Sequence, residues 1–287
     1  MKSLLTNLTL LVAAVTSLAA PLHEPEKITI KGSDTMVILV QRWTELYPST
    51  TVEFQITGGG SGTGIAALIN GTTSICASSR PIKPTEVQQL VANHHYRGME
   101  VRVARDGLAI YVHKSNPVSK LTIEQLRMIF TGKITNWHQV GGKNAPIILY
   151  SRENNSGTYE FFKEHVLSKQ DFAPQVQHIA GTAALINAVS KDPDGIGYGG
   201  AAYASNVRTL AVAVDASKSY TRPTPQTILD GTYPIARFMY FYLNSRPHGN
   251  VKKFIDWVLS PAGQRVVTSL GYYPLPTSLT SPITKGK

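Results

Sequence analysis

Polar and apolar residues alternate at 27–31 and again at 51–56, the period-two pattern of half-buried strands. Between them, 36–47 carries apolar residues at helical spacing and stops before Pro48. A glycine run at 58–64 leads into a short apolar helix at 65–69, and 74–77 reads as a third strand. Thr85 and Gln88 have the spacing of a capping box for a helix reaching about Ala92. Strand and helix thus alternate three times, which predicts an open, mostly parallel sheet covered by helices.

The second half repeats the theme. A buried strand is expected at 108–113, and Thr122 with Gln125 makes a second capping box before 126–130. A strand at 146–150 runs into Ser151 and Arg152, and helices follow at 159–167 and 182–189. A long aromatic strand occupies 237–243, and two closing helices at 251–259 and 262–270 are separated by Pro261. Two α/β units joined by extended apolar strands predict two lobes with a ligand cleft between them. With crossovers near 105–113 and 233–240, lobe I is discontinuous, 20–106 plus 238–287, and lobe II is 107–237.

The first residues follow a different pattern. Lys2 gives a positive start, 8–15 is a short apolar run, and Ser17 and Ala19 are small residues two apart. This is the pattern of a secretory signal peptide, 1–19, cut after Ala19. The run is short of the roughly 20 residues needed to span a bilayer, and no cysteine follows it to carry a lipid, so no membrane anchor is expected. The expected location is the periplasm.

Composition narrows the classes. Hydrophobic residues make up 42% and charged ones 16%, a globular balance. The single cysteine, Cys76, excludes an internal disulfide and a cysteine-based zinc site. The formal net charge is +10, which favours anionic partners without choosing among them. No basic stripe is interleaved with aromatics, so nucleic acid is not an expected partner.

The chemistry concentrates at four turns with one composition: small hydroxyl residues and glycine just before a helix. They are Gly32-Ser33-Asp34-Thr35, the run 58–64 containing Ser61, Ala77-Ser78-Ser79-Arg80, and Arg152 through Ser156-Gly157-Thr158. The first turn of a helix has free N–H groups and the positive end of the dipole. Glycine admits an anion close to the backbone, and Ser and Thr add hydroxyl donors. Each turn alone is also what an ordinary helix cap or surface turn looks like. Their recurrence at one topological position points to a small anion held without metal or cofactor.

Competing motifs fail on inspection. The glycine run lacks the lysine of a nucleotide P-loop. Ser61 is flanked by Gly59 and Thr63, so the Gly-x-Ser-x-Gly elbow is absent. His94-His95 has no third ligand nearby in sequence, and Asp192 to Gly195 is a turn rather than a calcium loop.

These turns, together with Gly195-Ile-Gly-Tyr198 and the segment 131–137 before Gly141-Gly142, resemble the periplasmic phosphate-binding proteins of high-affinity phosphate ABC transporters. The resemblance covers essentially the whole chain after the leader. It implies an α/β, two-lobe type II periplasmic-binding-protein fold, each lobe a mixed, mostly parallel sheet flanked by helices. It also implies a site. Thr35 and the Met36 N–H match the first contact turn, with Ser33 and Asp34 beside them. Ser61 matches the serine of the glycine-rich turn, and Arg152, Ser156, Gly157 and Thr158 match the contact segment of the second lobe. Arg152 would be the direct counter-charge, forked onto two ligand oxygens.

Two positions depart from the family pattern. Ser79 stands where many members carry an aspartate that accepts the ligand's proton and repels sulfate. Asn154 stands where a carboxylate often holds the arginine. Asp34 and Glu153 are the candidate replacements, and Arg80 is either a second positive contact or a rim residue.

The expected function is non-enzymatic: capture of inorganic phosphate and its delivery, by a monomer, to a membrane ABC permease. The alternatives are an exported phosphate-ester hydrolase on the same scaffold, or a receptor for another tetrahedral oxyanion.

Overall fold

The structure, a computed structural model, describes residues 25–280; the signal peptide expected at 1–19 lies outside the described residues. The chain opens with β1 (Glu26–Gly32), a 3₁₀ turn (Asp34–Met36), α1 (Val37–Leu46), β2 (Val52–Thr57), α2 (Ser61–Ile69), β3 (Ile75–Ser78) and α3 (Pro84–His94). It continues through β4 (Met99–Val112), β5 (Lys120–Thr122), α4 (Ile123–Phe130), β6 (Ile148–Arg152), α5 (Gly157–His165), β7 (Gln177–Ile179), α6 (Thr182–Lys191) and β8 (Gly195–Gly200). The short β9 (Arg208–Thr209), β10 (Ala211–Ala213) and α7 (Pro225–Leu229) precede β11 (Ala236–Leu243), α8 (Gly249–Leu259) and α9 (Pro261–Ser269).

The main sheet runs β2-β1-β3-β11-β4-β8-β6-β7. β2, β1 and β3 are parallel, as are β8, β6 and β7. β11 and β4 insert between these groups as antiparallel strands. The result is the mixed, helix-flanked type II architecture. Exposure follows position. β2, at the edge, alternates half-buried and exposed residues, whereas β3, inside, is buried at all four positions.

β4 is the long strand that joins the two groups. Its residues from Met99 to Gly107 pair with β11, and Leu108 to Val112 pair with β8. The cores change along it. Val101, Val103 and Ala104 pack with Leu39, Trp43 and Phe254, while Leu108, Ile110 and Val112 pack with Phe130, Trp137 and Phe162. β11 changes cores in the same way, Met239 and Phe241 in the first and Ile235, just before the strand, in the second. Each core receives the apolar stripe of an amphipathic helix. α1 buries Leu39, Val40 and Trp43, and the Trp43 Nε1–H donates to the Gly263 carbonyl at 2.9 Å. α4 buries Leu126, Ile129 and Phe130.

Caps set the helix starts. The Thr122–Gln125 box closes α4 from both sides, at 3.1 and 2.9 Å. The expected Thr85–Gln88 box is not formed. α3 starts earlier, at Pro84, whose fixed φ suits a first helical residue. Glu86 Oε2 then accepts the Lys83 N–H at 2.7 Å. α5 also begins two residues before the expected 159, with Ser156 as its cap.

Candidate functional site

Every candidate turn sits where a strand of the main sheet ends. β1 delivers Ser33 to Met36, β2 leads through glycine to Ser61, β3 ends beside Ser79 and Arg80, and β6 ends at Arg152. Ser61 is the first residue of α2, and Ser156 caps α5 by accepting from the Thr158 and Tyr159 N–H groups at 3.2 and 3.4 Å. The starts of α2 and α5, with the positive ends of their dipoles, therefore face each other at one place.

The side chains meet there. Thr35 Oγ1 lies 2.9 Å from Thr158 Oγ1 and 3.4 Å from Thr182 Oγ1. Ser61 Oγ accepts the Ser79 N–H at 3.0 Å and lies 3.3 Å from Ser79 Oγ. Thr35, Ser61, Ser79 and Thr158 have no exposed surface, and Arg152 has 1%. Gly157 allows this closeness. A Cβ there would stand 2.3 Å from Ser61 Oγ and 2.7 Å from Ser79 Oγ. The two sides are also tied directly. The Gly62 N–H donates to the Asn155 carbonyl at 2.9 Å, and Asn155 Nδ2 donates to the Gly59 carbonyl at 3.0 Å.

Arg152 is arranged differently from the expected fork on the ligand. Its Nε and Nη2 donate to Glu153 at 3.0 and 2.8 Å, so the fork closes on that carboxylate. Nη2 also donates to Asp34 Oδ2 at 2.9 Å, and Nη1 to Thr182 Oγ1 at 2.6 Å. Glu153 therefore does the holding that Asn154 cannot. Burial alone would raise the Glu153 carboxyl, but the hydrogen bonds and charge of Arg152 outweigh it and hold it below the usual range. What Arg152 retains for a ligand is its remaining Nη1–H, aimed beside Thr182.

Asp34 is a strut, not a helix cap. Its Oδ1 accepts the Gly59 N–H at 2.8 Å while Oδ2 holds Arg152. Ser33 is 3% exposed and makes no side-chain cap bond. The Met36 N–H closes the 3₁₀ turn onto the Ser33 carbonyl at 2.9 Å, so it is not the free donor expected from the sequence. Arg80 points its guanidinium at Glu86, at 2.9 and 2.6 Å, and at the Pro81 carbonyl. That pair anchors the start of α3 and accounts for the charge of Arg80 away from the ring.

Three ring residues were missed from sequence. Thr182 opens α6 behind Gly181, a fifth turn of the same composition. Arg237 stands in an otherwise aromatic strand, and Asp106 in the buried stretch of β4. Arg237, the one charge of its apolar strand, was the available signal; Asp106 follows Arg105 in a strand that also carries Glu100 and Arg102 and gave none. Arg237 Nε and Nη2 donate to Asp106 Oδ2 at 3.1 and 2.8 Å, Nη1 to the Ser79 carbonyl at 3.1 Å, and Nη2 to Thr158 Oγ1 at 3.1 Å. Burial dominates at Asp106 and holds its carboxyl above the usual value, against the pull of Arg237. Arg152 and Arg237 thus face the carboxylates of Asp34, Glu153 and Asp106. The ring carries no excess of positive charge, so it suits an anion through neutral donors and helix termini.

A two-lobed α/β frame that closes hydroxyls and helix N-termini around a buried centre is a solute-binding architecture for a small oxyanion. The sequence matches the PBP superfamily domain over residues 19–262. Phosphate-binding protein PstS of Pseudomonas aeruginosa is 37% identical over 269 residues, 86% of this chain and 83% of the relative. Protein SphX of Synechococcus elongatus is 33% identical over 284 residues, 92% and 83% of the two chains. Among solved structures, a Clostridium perfringens protein described as a phosphate ABC transporter substrate-binding protein, with bound phosphate, superposes with a TM-score of 0.80. It is 30% identical and covers 88% of this chain and 100% of its own. An ABC-type phosphate transport receptor from Vibrio cholerae superposes with a TM-score of 0.67 at 29% identity, covering 87% and 100%. The chain belongs to the PBP superfamily and, within it, to the family of PstS phosphate-binding proteins.

Proposed function

We propose that this protein is an exported receptor that captures inorganic phosphate between two lobes and delivers it to an ABC-type permease. The observation that carries the reading is the fully buried meeting of Thr35, Ser61, Ser79 and Thr158 at the helix starts beside Arg152. The relatives are named as binding proteins and transport receptors, which supports a receptor rather than an enzyme. The lobes are 20–106 plus 238–287 and 107–237, a division supported by the change of core along β4 and β11. The working location is the periplasm and the working form a monomer. Among the described residues no helix is long and apolar enough to cross a membrane.

Donors come from both sides of the cleft, Thr35 and Ser61 from one and Thr158 and Thr182 from the other. A phosphate bridging them stabilises the closed arrangement over any open one by the contacts made only on closing. Micromolar affinity needs about 8 kcal/mol. Net contributions of roughly 1.5–3 kcal/mol per hydrogen bond to a charged group reach that with a handful of donors. Calorimetry of ligand-stripped protein tests this: one phosphate per chain at micromolar or tighter affinity is expected. Absence of phosphate heat would sink the reading.

A further inference from the structure

Phosphate near neutrality carries at least one proton, whereas sulfate carries none. A site that tells them apart needs an acceptor without a proton of its own, placed where the ligand O–H falls. Ser79 is a hydroxyl and does not exclude a bare oxygen, because it can turn and donate. Of the three carboxylates around the ring, two have both oxygens engaged. Asp34 holds the Gly59 N–H and Arg152, and Glu153 holds Arg152 with both oxygens. The third is Asp106. Its Oδ2 takes both bonds from Arg237, and its Oδ1, fully buried, has no hydrogen-bond partner among the described residues. The backbone N–H groups of Gly107 and Ala201 lie near enough to favour its charged form electrostatically, but neither makes a well-formed bond to Oδ1.

An unpaired carboxylate oxygen in the interior is costly, so its persistence calls for a partner. Its surroundings say which. A Cβ on Gly200 would come within 3.2 Å of Asp106 Oδ1 and 2.9 Å of the Thr35 methyl, so both lie against this glycine. Arg237 connects Asp106 to Thr158 Oγ1 and to the Ser79 carbonyl. Through Arg237, Asp106 thus stands one side chain from the Thr158 hydroxyl and the Ser79 carbonyl, and its Oδ1 lies on the side of Gly200 that also meets Thr35. We infer that Asp106 is the specificity residue of this receptor: its Oδ1 accepts the proton of bound phosphate and rejects sulfate, replacing the function that Ser79 lacks. Arg237 is the positioning residue that pulls the carboxyl toward its charged form, against burial, and fixes its orientation through Oδ2. This inference rests on the phosphate reading above.

The exclusion follows from unpaired groups rather than from size. A sulfate oxygen facing Oδ1 sets two acceptors together with no proton between them. Sites built on such a hydrogen bond reject ligands lacking it by factors on the order of 10⁴. Wild type should therefore prefer phosphate over sulfate by at least about a hundredfold. Asp106→Asn keeps the shape and supplies an N–H donor. In D106N phosphate should weaken by roughly tenfold or more and sulfate should strengthen, so the preference collapses. Asp34→Asn serves as the comparison, weakening both anions while the preference stays. A crystal structure of wild type with phosphate gives an independent reading that needs no variant to fold. Asp106 Oδ1 should lie about 2.5–2.7 Å from one phosphate oxygen. A separation beyond about 3.5 Å, or a folded D106N that retains the full preference, overturns the assignment and leaves the phosphate reading intact. Wild type that binds neither anion overturns both.

Discussion

Arg152→Met separates what this arginine does for the ligand from what it does for the fold. The side chain is 1% exposed and neutralises two carboxylates, Asp34 and Glu153, at 2.9 and 2.8 Å. Removing one member of a buried ion pair costs about 3–5 kcal/mol, because the remaining charge is stranded. Asp34 and Glu153 are 20% and 23% exposed at their side chains, so water softens the loss and the lower end, about 3 kcal/mol, applies. For a chain of this size that is a fall in Tm of roughly 6–12 °C without ligand. Binding loses one charge-assisted bond, roughly 1.5–3 kcal/mol, and gains repulsion from the freed carboxylates. Phosphate affinity should therefore drop by at least about 10- to 150-fold.

The two losses can be taken apart. Adding Asp34→Asn and Glu153→Gln to Arg152→Met removes the stranded charges. The triple variant should recover most of the ligand-free Tm, read by calorimetric melting, while phosphate affinity, read by titration calorimetry, stays depressed. An R152M protein that melts with wild type, or that binds phosphate within about threefold of it, would refute the description of Arg152 as a buried junction between ligand and carboxylates.

Gly157→Ala places its Cβ 2.3 Å from Ser61 Oγ and 2.7 Å from Ser79 Oγ, so closing strains the ring. Overpacking of about 1–3 kcal/mol predicts phosphate binding weaker by roughly 5- to 150-fold, and unchanged titrations would show that the cleft closes less far. The rim pair Lys83–Glu160, at 3.0 Å with side chains 45% and 33% exposed, joins the starts of α3 and α5. Lys83→Ala should speed phosphate release by no more than about fivefold, an effect erased by high salt; a larger or salt-independent change in stopped-flow release would contradict a surface role. Glu153 has a carboxyl lower in the folded than in the unfolded chain, so its stabilisation is complete above the unfolded value near 4.3 and fades as the pH falls through the folded value. Wild type and Glu153→Gln should therefore differ most in urea midpoint at neutral pH and converge in acid, and parallel curves would rule out the coupling.

What the sequence revealed about this site is local, and what it hid is long-range. The hydroxyl–glycine turns are legible because a helix start needs its own neighbours. Ser156 caps the N–H groups of Thr158 and Tyr159, two and three residues on, and Ser61 opens the helix that follows its own glycine run. The parallel order of the first three strands follows from the same kind of pattern. The allegiance of the charges does not. Asp34 and Arg152 are 118 residues apart, and Asp106 and Arg237 are 131 apart. Only the pairing of β4 with β11 puts the second pair face to face, at the register Arg237↔Asp106. No spacing rule within one segment encodes that register, so the lone charge of Arg237 could be noticed but its pairing with Asp106 could not be read. Arg80 misled for the converse reason. It lies in a candidate turn, yet Glu86, six residues on, claims its guanidinium and turns it from the ring to the start of α3.

The same contrast bears on how selectivity arises here. Donors for an oxyanion come from backbone and hydroxyl groups, which any strand-to-helix turn supplies and which suit phosphate and sulfate alike. Discrimination needs an acceptor that cannot become a donor, hence a carboxylate, and a buried carboxylate needs a cation to stay charged. That pair cannot sit in one turn without neutralising the donors around it. In this chain it lies on the two strands that run between the cores, where Arg237 reaches Asp106, Ser79 and Thr158 at once. Selectivity is then linked to closure, because the strands carrying the acceptor are also those along which one core gives way to the other. A substitution that loosens the β4–β11 register, such as Arg237→Lys, which loses the fork and one of its three attachments, should therefore reduce the preference for phosphate over sulfate more than it reduces phosphate affinity. Equal losses in both, measured by paired titrations, would place Arg237 with the general donors instead.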